Sequence, residues 1–319
     1  MNIKPLYRKI PLNRIDPADP TFLLAPAADE EVPDHSQDFV GRWAIIHPPV
    51  LRERGDARFT VVTGRRQIVA VRRLPAEDYC ACLVLPVDTP GRDLLLMALQ
   101  EILLSRPATP MEKAICWRKG VELLGRDRAG RELGPRLELS GQLGPERLEK
   151  LLTLDRTMQE ALHKGSLDLK ACLKLLDIDP PDRNPLFETM TRLRLSSSNQ
   201  RKIVDCCREL EKRRGRSIAA ILGEPACLEI INHSEANPPQ KAAMMMNRLT
   251  ALCYPNLTEA EKDFRGFVAG LTLPKGAHVE HAPSFEKDSL KLSIEFADRR
   301  RLAAKWPEIK KILAAANHE

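Results

Sequence analysis

Apolar and polar positions follow two periods along this chain. Over Phe59 to Thr63 the β-branched residues Val61, Val62 and Thr63 favour a pleated backbone, and beyond Gly64 the apolar residues Ile68, Val69, Val71 and Leu74 recur at helical spacing. A strand therefore runs through Gly64 into a helix that opens with Arg65, Arg66 and Gln67. Before it, Tyr7, Ile10, Leu12 and Ile15 interleave with basic residues as a first strand and its exit. A Pro-, Ala- and acid-rich loop follows through Pro33 and Asp34, and Phe39 to Ile46 reads as a short helix. Pro49 to Arg54 and Arg58 to Thr63 pair across Gly55-Asp56, Tyr79 to Val87 is another strand, and Asp93 to Ser105 a strongly apolar helix.

Beyond Arg106 the period is helical. Thr109 and Pro110 suit the N-cap and first position of a helix over Met111 to Leu124, with Glu112, Lys113, Arg118 and Glu122 outward. A helix from Pro145 through Leu148, Leu151, Leu152 and Leu154 exposes Arg147 and Lys150; Met158 to His163 and Leu167 to Leu176 follow around Gly165. Asp177 to Asn184, with two adjacent prolines, reads as a connector. Ser196 to Ser198 then cap a helix in which Ile203, Cys206, Cys207 and Leu210 form a buried stripe while Arg201, Arg208 and Lys212 share another face. Asn237 opens a helix with consecutive Met244, Met245 and Met246, which cannot all face one side. A capping-box-like Thr258-x-x-Glu261 starts the next, with Phe264, Phe267, Val268 and Leu271 inward. A hairpin of Val279 to Phe285 with Ser289 to Phe296 and a basic helix from Arg299 to Ala315 complete the chain. The fold class is α+β, with a small mixed domain over 1–106, a helical domain over 107–184, a basic helical segment over 185–236 and a small α+β module over 237–319, suited to self-association as a homodimer.

Composition changes this picture little. The 319 residues are 43% hydrophobic and 29% charged, ordinary for a soluble protein, and no stretch approaches the roughly 20 apolar residues of a membrane span, so a cytoplasmic protein without membrane contact is expected. The eight cysteines form no C-x-x-C and no regular spacing with histidine, which disfavours a zinc site or disulfide framework. His278 and His281, three apart on a strand, point to opposite faces, and no metal ligand set is assigned. Charge is uneven. The net +6 of the chain is matched by Arg192 to Arg216 alone, with nine Lys or Arg against three acids, a face able to track a phosphate backbone. Aromatic residues are only 4%, so base stacking is not expected.

The candidate chemistry sits at Gly64. A glycine before exposed N–H groups at a helix start, followed by Arg65 and Arg66, makes an anion site. With Ile45-Ile46-His47-Pro48-Pro49-Val50-Leu51 upstream and Ala98-Leu99-Gln100-Glu101 downstream, the order resembles the ParB/sulfiredoxin-like domain of partition proteins. That family builds one nucleotide pocket, usually for CTP, from an "iqPpvv" strand, a "G-E-R-R-x-x-A" junction and an "A-L-x-E-N-x-Q-R" helix. Gly64, Arg66 and Ala70 match the junction, while Arg65 and Gln67 replace Glu and Arg; Leu99 and Glu101 match the later motif, while Ile102 replaces the Asn associated with the metal ion. Pro110, Glu112 and Ala114 match the family's next helix start. Glu132 to Ser140 lines up with its helix-turn-helix "E-L-A-x-R-L-G-x-S", with Pro135 inside the first helix and Glu138 at the turn glycine. Glu160, Ala161, Leu162, Gly165 and Leu167 match the section after it, so the resemblance spans roughly residues 5 to 177.

The resemblance implies a DNA-associated protein of the partition or transcription-related kind, in which CTP with Mg²⁺ docks at Gly64, Arg65, Arg66 and Gln67 and gates DNA binding. Glu101 would orient a hydrolytic or metal-bound water for at most a weak CTPase-like activity. Arg147, Lys150, Arg201, Arg208 and Lys212 are the candidate DNA contacts, although Arg126 to Lys150 carries a net charge of only +1. Two other readings stay open. One is a nuclease or phosphotransferase on the same fold, which asks for clustered acids where Glu101 stands nearly alone and Glu77 and Asp78 are the nearest acidic pair. The other is a protein-interaction scaffold with a dead pocket. A sulfiredoxin-type site would place Cys after Gly64, where this chain has Arg65.

Overall fold

The computed structural model describes residues 5–26, 47–75, 77–139, 141–271, 273, 276–282, 287 and 289–315, without the side chains of 308 and 311–315. Its class is α+β, with fourteen helices among the described residues, a five-stranded mixed sheet near the N-terminus and a two-stranded antiparallel sheet near the C-terminus. The short helix expected over Phe39 to Ile46 lies outside the described residues. Contacts divide the chain into two compact units, residues 1–187 with 196–204, and 188–195 with 205–319.

In the first unit, β1 (Leu6–Pro11), β2 (Ile15–Asp16), β3 (Val50–Glu53), β4 (Phe59–Thr63) and β5 (Tyr79–Leu85) assemble in the order β1-β5-β3-β4-β2. The expected hairpin forms, β3 antiparallel to β4 with Leu51 opposite Val61, while β3 lies parallel to β5 and β1 antiparallel to it. Every residue of β4 is buried, as a strand covered on both faces requires. On one side lies α1 (Arg65–Arg72), which contributes Ile68 and Val71 to a core shared with Ile10, Ile15, Leu51, Cys80, Cys82 and Val84. Helix α2 (Gly91–Ser105) also packs on β4, through a stripe that includes Leu94, Leu95, Ala98 and Leu99.

The helical part of this unit gathers around α3 (Pro110–Leu124), which touches α2, α4 (Arg126–Leu137), α5 (Pro145–Leu151) and α6 (Arg156–His163). Its start is the expected one, a reciprocal capping box between Thr109 and Glu112 with Pro110 at the first position. The burial of Glu112 is not. Helical spacing places this residue outward, yet it is 3% exposed, because its carboxylate accepts the Thr109 N–H at 2.8 Å and both Nη groups of Arg106 at 2.6 and 2.8 Å. Burial opposes its ionisation, but these bonds win and hold the Glu112 carboxyl below the usual range. Helices α7 (Leu169–Leu175) and α8 (Pro180–Arg192) follow. The connector expected over 177–184 is mostly the first turns of α8, since Pro180 and Pro181 occupy positions where no intrahelical N–H is needed.

Helix α9 (Ser197–Arg214) carries the expected buried stripe of Ile203, Cys206, Cys207 and Leu210. In the second unit α10 (Ile218–Leu222), α11 (Pro225–Asn232) and α12 (Pro238–Cys253) follow, with Asn237 and Gln240 closing a capping box. Met245 and Met246 are buried while Met244 is exposed. Helix α13 (Pro255–Gly270) departs from expectation. It starts at Pro255, so Thr258 lies inside it and its hydroxyl donates to Tyr254 O at 2.9 Å instead of capping. None of its residues is buried, and Phe267 and Leu271 are exposed rather than inward. The paired strands β6 (Ala277–His281) and β7 (Leu290–Ile294) and helix α14 (Arg299–Ala315) complete the unit. All eight cysteines are buried free thiols, and desolvation pushes Cys116 and Cys172 up to about 12, which keeps them protonated and inert.

Candidate nucleotide and nucleic-acid sites

Gly64 joins β4 to α1 with φ +76° and ψ 25°, the left-handed region. A Cβ there would lie 2.6 Å from Pro49 Cα and 2.8 Å from Pro49 Cβ, so both torsion and close approach demand glycine. The Ile68 N–H closes the first turn onto Gly64 O at 3.3 Å, which leaves the preceding N–H groups of the turn outside the helical ladder. The Gly64 N–H faces the Glu101 carboxylate from α2 and favours its ionised form. Glu101 as a whole is exposed, but the surrounding protein shields its carboxyl. That desolvation raises its pKa against the lowering effect of the Gly64 bond.

The three residues after Gly64 diverge. Arg65 turns toward the segment after β2: its Nη2 donates to Asp19 O at 2.6 Å, its Nη1 is sealed from solvent without an acceptor, and burial lowers its pKa despite the charges of Asp19 and Asp16. Arg66 is exposed and Gln67 half-buried. One helical repeat on, Arg72 Nη2 donates to Leu12 O at 2.8 Å and to Ile15 O. From α3, Lys119 Nζ reaches Pro20 O at 2.7 Å and Thr21 O at 2.9 Å. Asp19, buried, opposes desolvation with bonds from the Thr21 hydroxyl and N–H and the Thr60 side chain, and its carboxyl sits below the usual range. Sequence reasoning missed Asp19, Arg72 and Lys119. The available signal was the spacing of seven between Arg65 and Arg72, which puts both on one face of α1.

Of the candidate DNA contacts, Arg147 and Lys150 are exposed on α5, and Arg147 Nη1 donates to Gln142 O at 3.0 Å. Their basic neighbours are neutralised: Arg126 pairs with Glu149 at 2.6 Å and Arg128 with Glu132 at 2.7 Å. On α9, Arg201 is half-buried, donates to Ser197 O at 3.1 Å and lies 3.5 Å from the Asp168 carboxylate; Arg208 is half-buried and Lys212 exposed. Gly64 and Glu101 thus meet at one turn, from which the Arg65 side chain leads away to Asp19, whereas the basic candidates are distributed over α5 and α9.

No protein-family model matches the chain. Nucleoid occlusion proteins of Geobacillus kaustophilus (strain HTA426) and Geobacillus sp. (strain WCH70) are similar to it, at 32% identity over 155 residues and 31% over 157. Each alignment covers 49% of this chain and 52% of the relative. About half of the chain is thus similar to nucleoid occlusion proteins. It spans about half the length of the curated relatives it matches.

Two features of the segment expected to form a helix-turn-helix gain physical meaning from the structure. Glu138, at the position of the family's turn glycine, has φ +52° and ends α4 in the left-handed conformation, with Leu139 N–H returning to Gly134 O at 3.0 Å. The backbone keeps the glycine geometry although the glycine is gone. Pro135 lies in the last turn of α4 and is tolerated there without ending the helix. Residues 138–144 separate α4 from α5, longer than the three- or four-residue turn of a helix-turn-helix.

Proposed function

We propose that this chain is a DNA-associated protein of chromosome organisation whose first unit carries a phosphate pocket at the Gly64 turn, and that occupancy of the pocket gates DNA binding. The observation that carries the reading is the similarity to two nucleoid occlusion proteins, taken with a β4–Gly64–α1 junction that only glycine can occupy. Backbone N–H groups of Arg65 and Arg66 would hold the phosphate, with the Arg66 guanidinium closing on it. CTP is the expected nucleotide. The donor set fits a phosphate better than its cation: Glu101 is the carboxylate at the turn, and Ile102 beside it offers no ligand atom. Bound Mg²⁺ would add charge neutralisation on the phosphates, and Glu101 would be the residue that holds it or its water.

Glu101 also opposes an incoming phosphate, because both are anions seeking the Gly64 N–H. Nucleotide binding without Mg²⁺ would therefore displace or protonate Glu101, whereas a bound Mg²⁺ would let the carboxylate stay ionised. That contact favours a second reading, a closed pocket on an interaction scaffold, in which Glu101 is the permanent occupant of the site.

DNA association is tested by fluorescence anisotropy of a mixed-sequence duplex against salt concentration. The expected result is a linear fall of log K with log[salt], about 0.9 per phosphate neutralised. Absence of binding at low salt would overturn the reading.

A further inference from the structure

Three guanidinium groups in the second unit converge on one carboxylate. Glu224, which precedes Pro225 at the start of α11, has a side chain only 15% exposed. Its Oε1 accepts Arg214 Nη1 at 3.2 Å and Arg216 Nη1 at 2.9 Å, and its Oε2 accepts Arg248 Nη2 at 3.1 Å. Arg214 comes from the end of α9, Arg216 from the turn after it and Arg248 from the middle of α12. A structural ion pair needs one cation per carboxylate. Here two positive charges are left over within a few ångströms, and like charges held that close repel.

The surplus is also one of hydrogen-bond donors. Each guanidinium has five N–H groups and gives Glu224 one nitrogen. Arg248 Nε is sealed from solvent with no acceptor stronger than the neighbouring Cys227 thiol, and Arg248 Nη2 is tied to Glu224. The side chains of Arg214 and Arg216 are 32% and 50% exposed, which leaves their remaining donors open to the outside. Arg213 beside them is engaged instead with Cys253 O at 2.6 Å and with Glu209. Glu224 acts as a template that orients the forks before any ligand arrives, and preorganised forks lose little rotamer freedom on binding.

We propose that Arg214, Arg216 and Arg248, templated by Glu224, form a phosphoryl-oxyanion site whose occupant is a backbone phosphate of duplex DNA. Planar forks match phosphate oxygens bidentately, and the exposed Lys212, two residues before Arg214, adds to the same positive field. The choice of DNA as the source rests on the proposed DNA association; the oxyanion chemistry does not.

The test uses the full chain, Arg216→Gln and, as a charge-matched control, Arg265→Gln on α13. In the first arm thermal unfolding is compared in inorganic phosphate and in chloride at equal ionic strength. Phosphate should raise the Tm of the parent and the control more than that of Arg216→Gln. In the second arm the salt slope of duplex binding should fall by about 0.9 in Arg216→Gln and stay unchanged in the control. Equal responses of all three proteins in both arms would overturn the site. Phosphate stabilisation lost in Arg216→Gln with an unchanged DNA slope would overturn the DNA occupant and assign a free phosphate. If the parent binds no DNA, the DNA association fails, and the phosphate arm still decides the oxyanion site.

Discussion

Replacement of Gly64 by alanine tests the junction on which the first unit is built. Two penalties add. An L-residue held at φ +76° costs about 1–2 kcal/mol, and a Cβ placed 2.6 Å from Pro49 Cα forces the β3 approach or the start of α1 to shift, typically at about 1–3 kcal/mol. The sum, about 2–5 kcal/mol, is a large part of the roughly 5–15 kcal/mol that holds a domain folded. With a urea m-value of about 2 kcal/mol/M, the midpoint should fall by about 1–2.5 M. The buried Trp117 in the same unit supplies the fluorescence signal. Gly130→Ala is the matched control: Gly130 lies inside α4, a Cβ there meets nothing within 4 Å, and the midpoint should rise by about 0.3–0.5 M from a gain of about 0.5–1 kcal/mol. A Gly64→Ala midpoint at or above that of the parent would refute the steric and torsional argument.

Other consequences follow from the same geometry. Glu138→Gly relieves a left-handed non-glycine residue and loses only the Lys113–Glu138 pair, whose carboxylate is 79% exposed, so calorimetry should show Tm rising by about 2–4 °C. Glu112→Gln should destabilise by about 2–3 kcal/mol at neutral pH. Because the folded pKa of Glu112 is depressed, its contribution is present above the ordinary value of about 4.3 and vanishes as pH falls through the folded value, so parent and variant denaturation curves should converge in acid. Glu101 has the opposite sign: its raised pKa means the competing carboxylate is lost as pH falls toward that raised value, so nucleotide affinity without Mg²⁺ should strengthen with acidification, and Glu101→Gln should flatten that profile in titration calorimetry. Arg208→Ala should weaken duplex binding and reduce its salt slope by about 0.9, with an unchanged slope removing Arg208 from the interface.

What the sequence disclosed was local. The β4–Gly64–α1 junction was legible because a β-branched run, a glycine and a helical period stand next to one another, and the Thr109–Pro110–Glu112 start because a capping box is written within four residues. The burial of Glu112 was not legible, since it depends on Arg106 folding back from an irregular stretch. Prolines at 180 and 181 suit a connector and a first helical turn equally, and tertiary packing chose the helix. At α13, Pro255 supplied an earlier start than Thr258, and the face assigned inward has little to pack against among the described residues. The links that shape the candidate sites are long-range: Arg65 to Asp19, Lys119 to Pro20, and the arginines on Glu224. Periodicity carries no information about which distant carbonyl or carboxylate a cation will find.

The proposed pocket and its gating of DNA binding are tested most directly by calorimetric titration of the full chain with CTP, ATP and GTP, with and without Mg²⁺ and duplex DNA, beside Arg66→Ala. Saturable binding of one nucleotide, lost in the variant and altered in affinity by the duplex, is the predicted result. No heat of binding with any nucleotide under any of these conditions would contradict the pocket and leave Glu101 as the permanent occupant of the Gly64 turn.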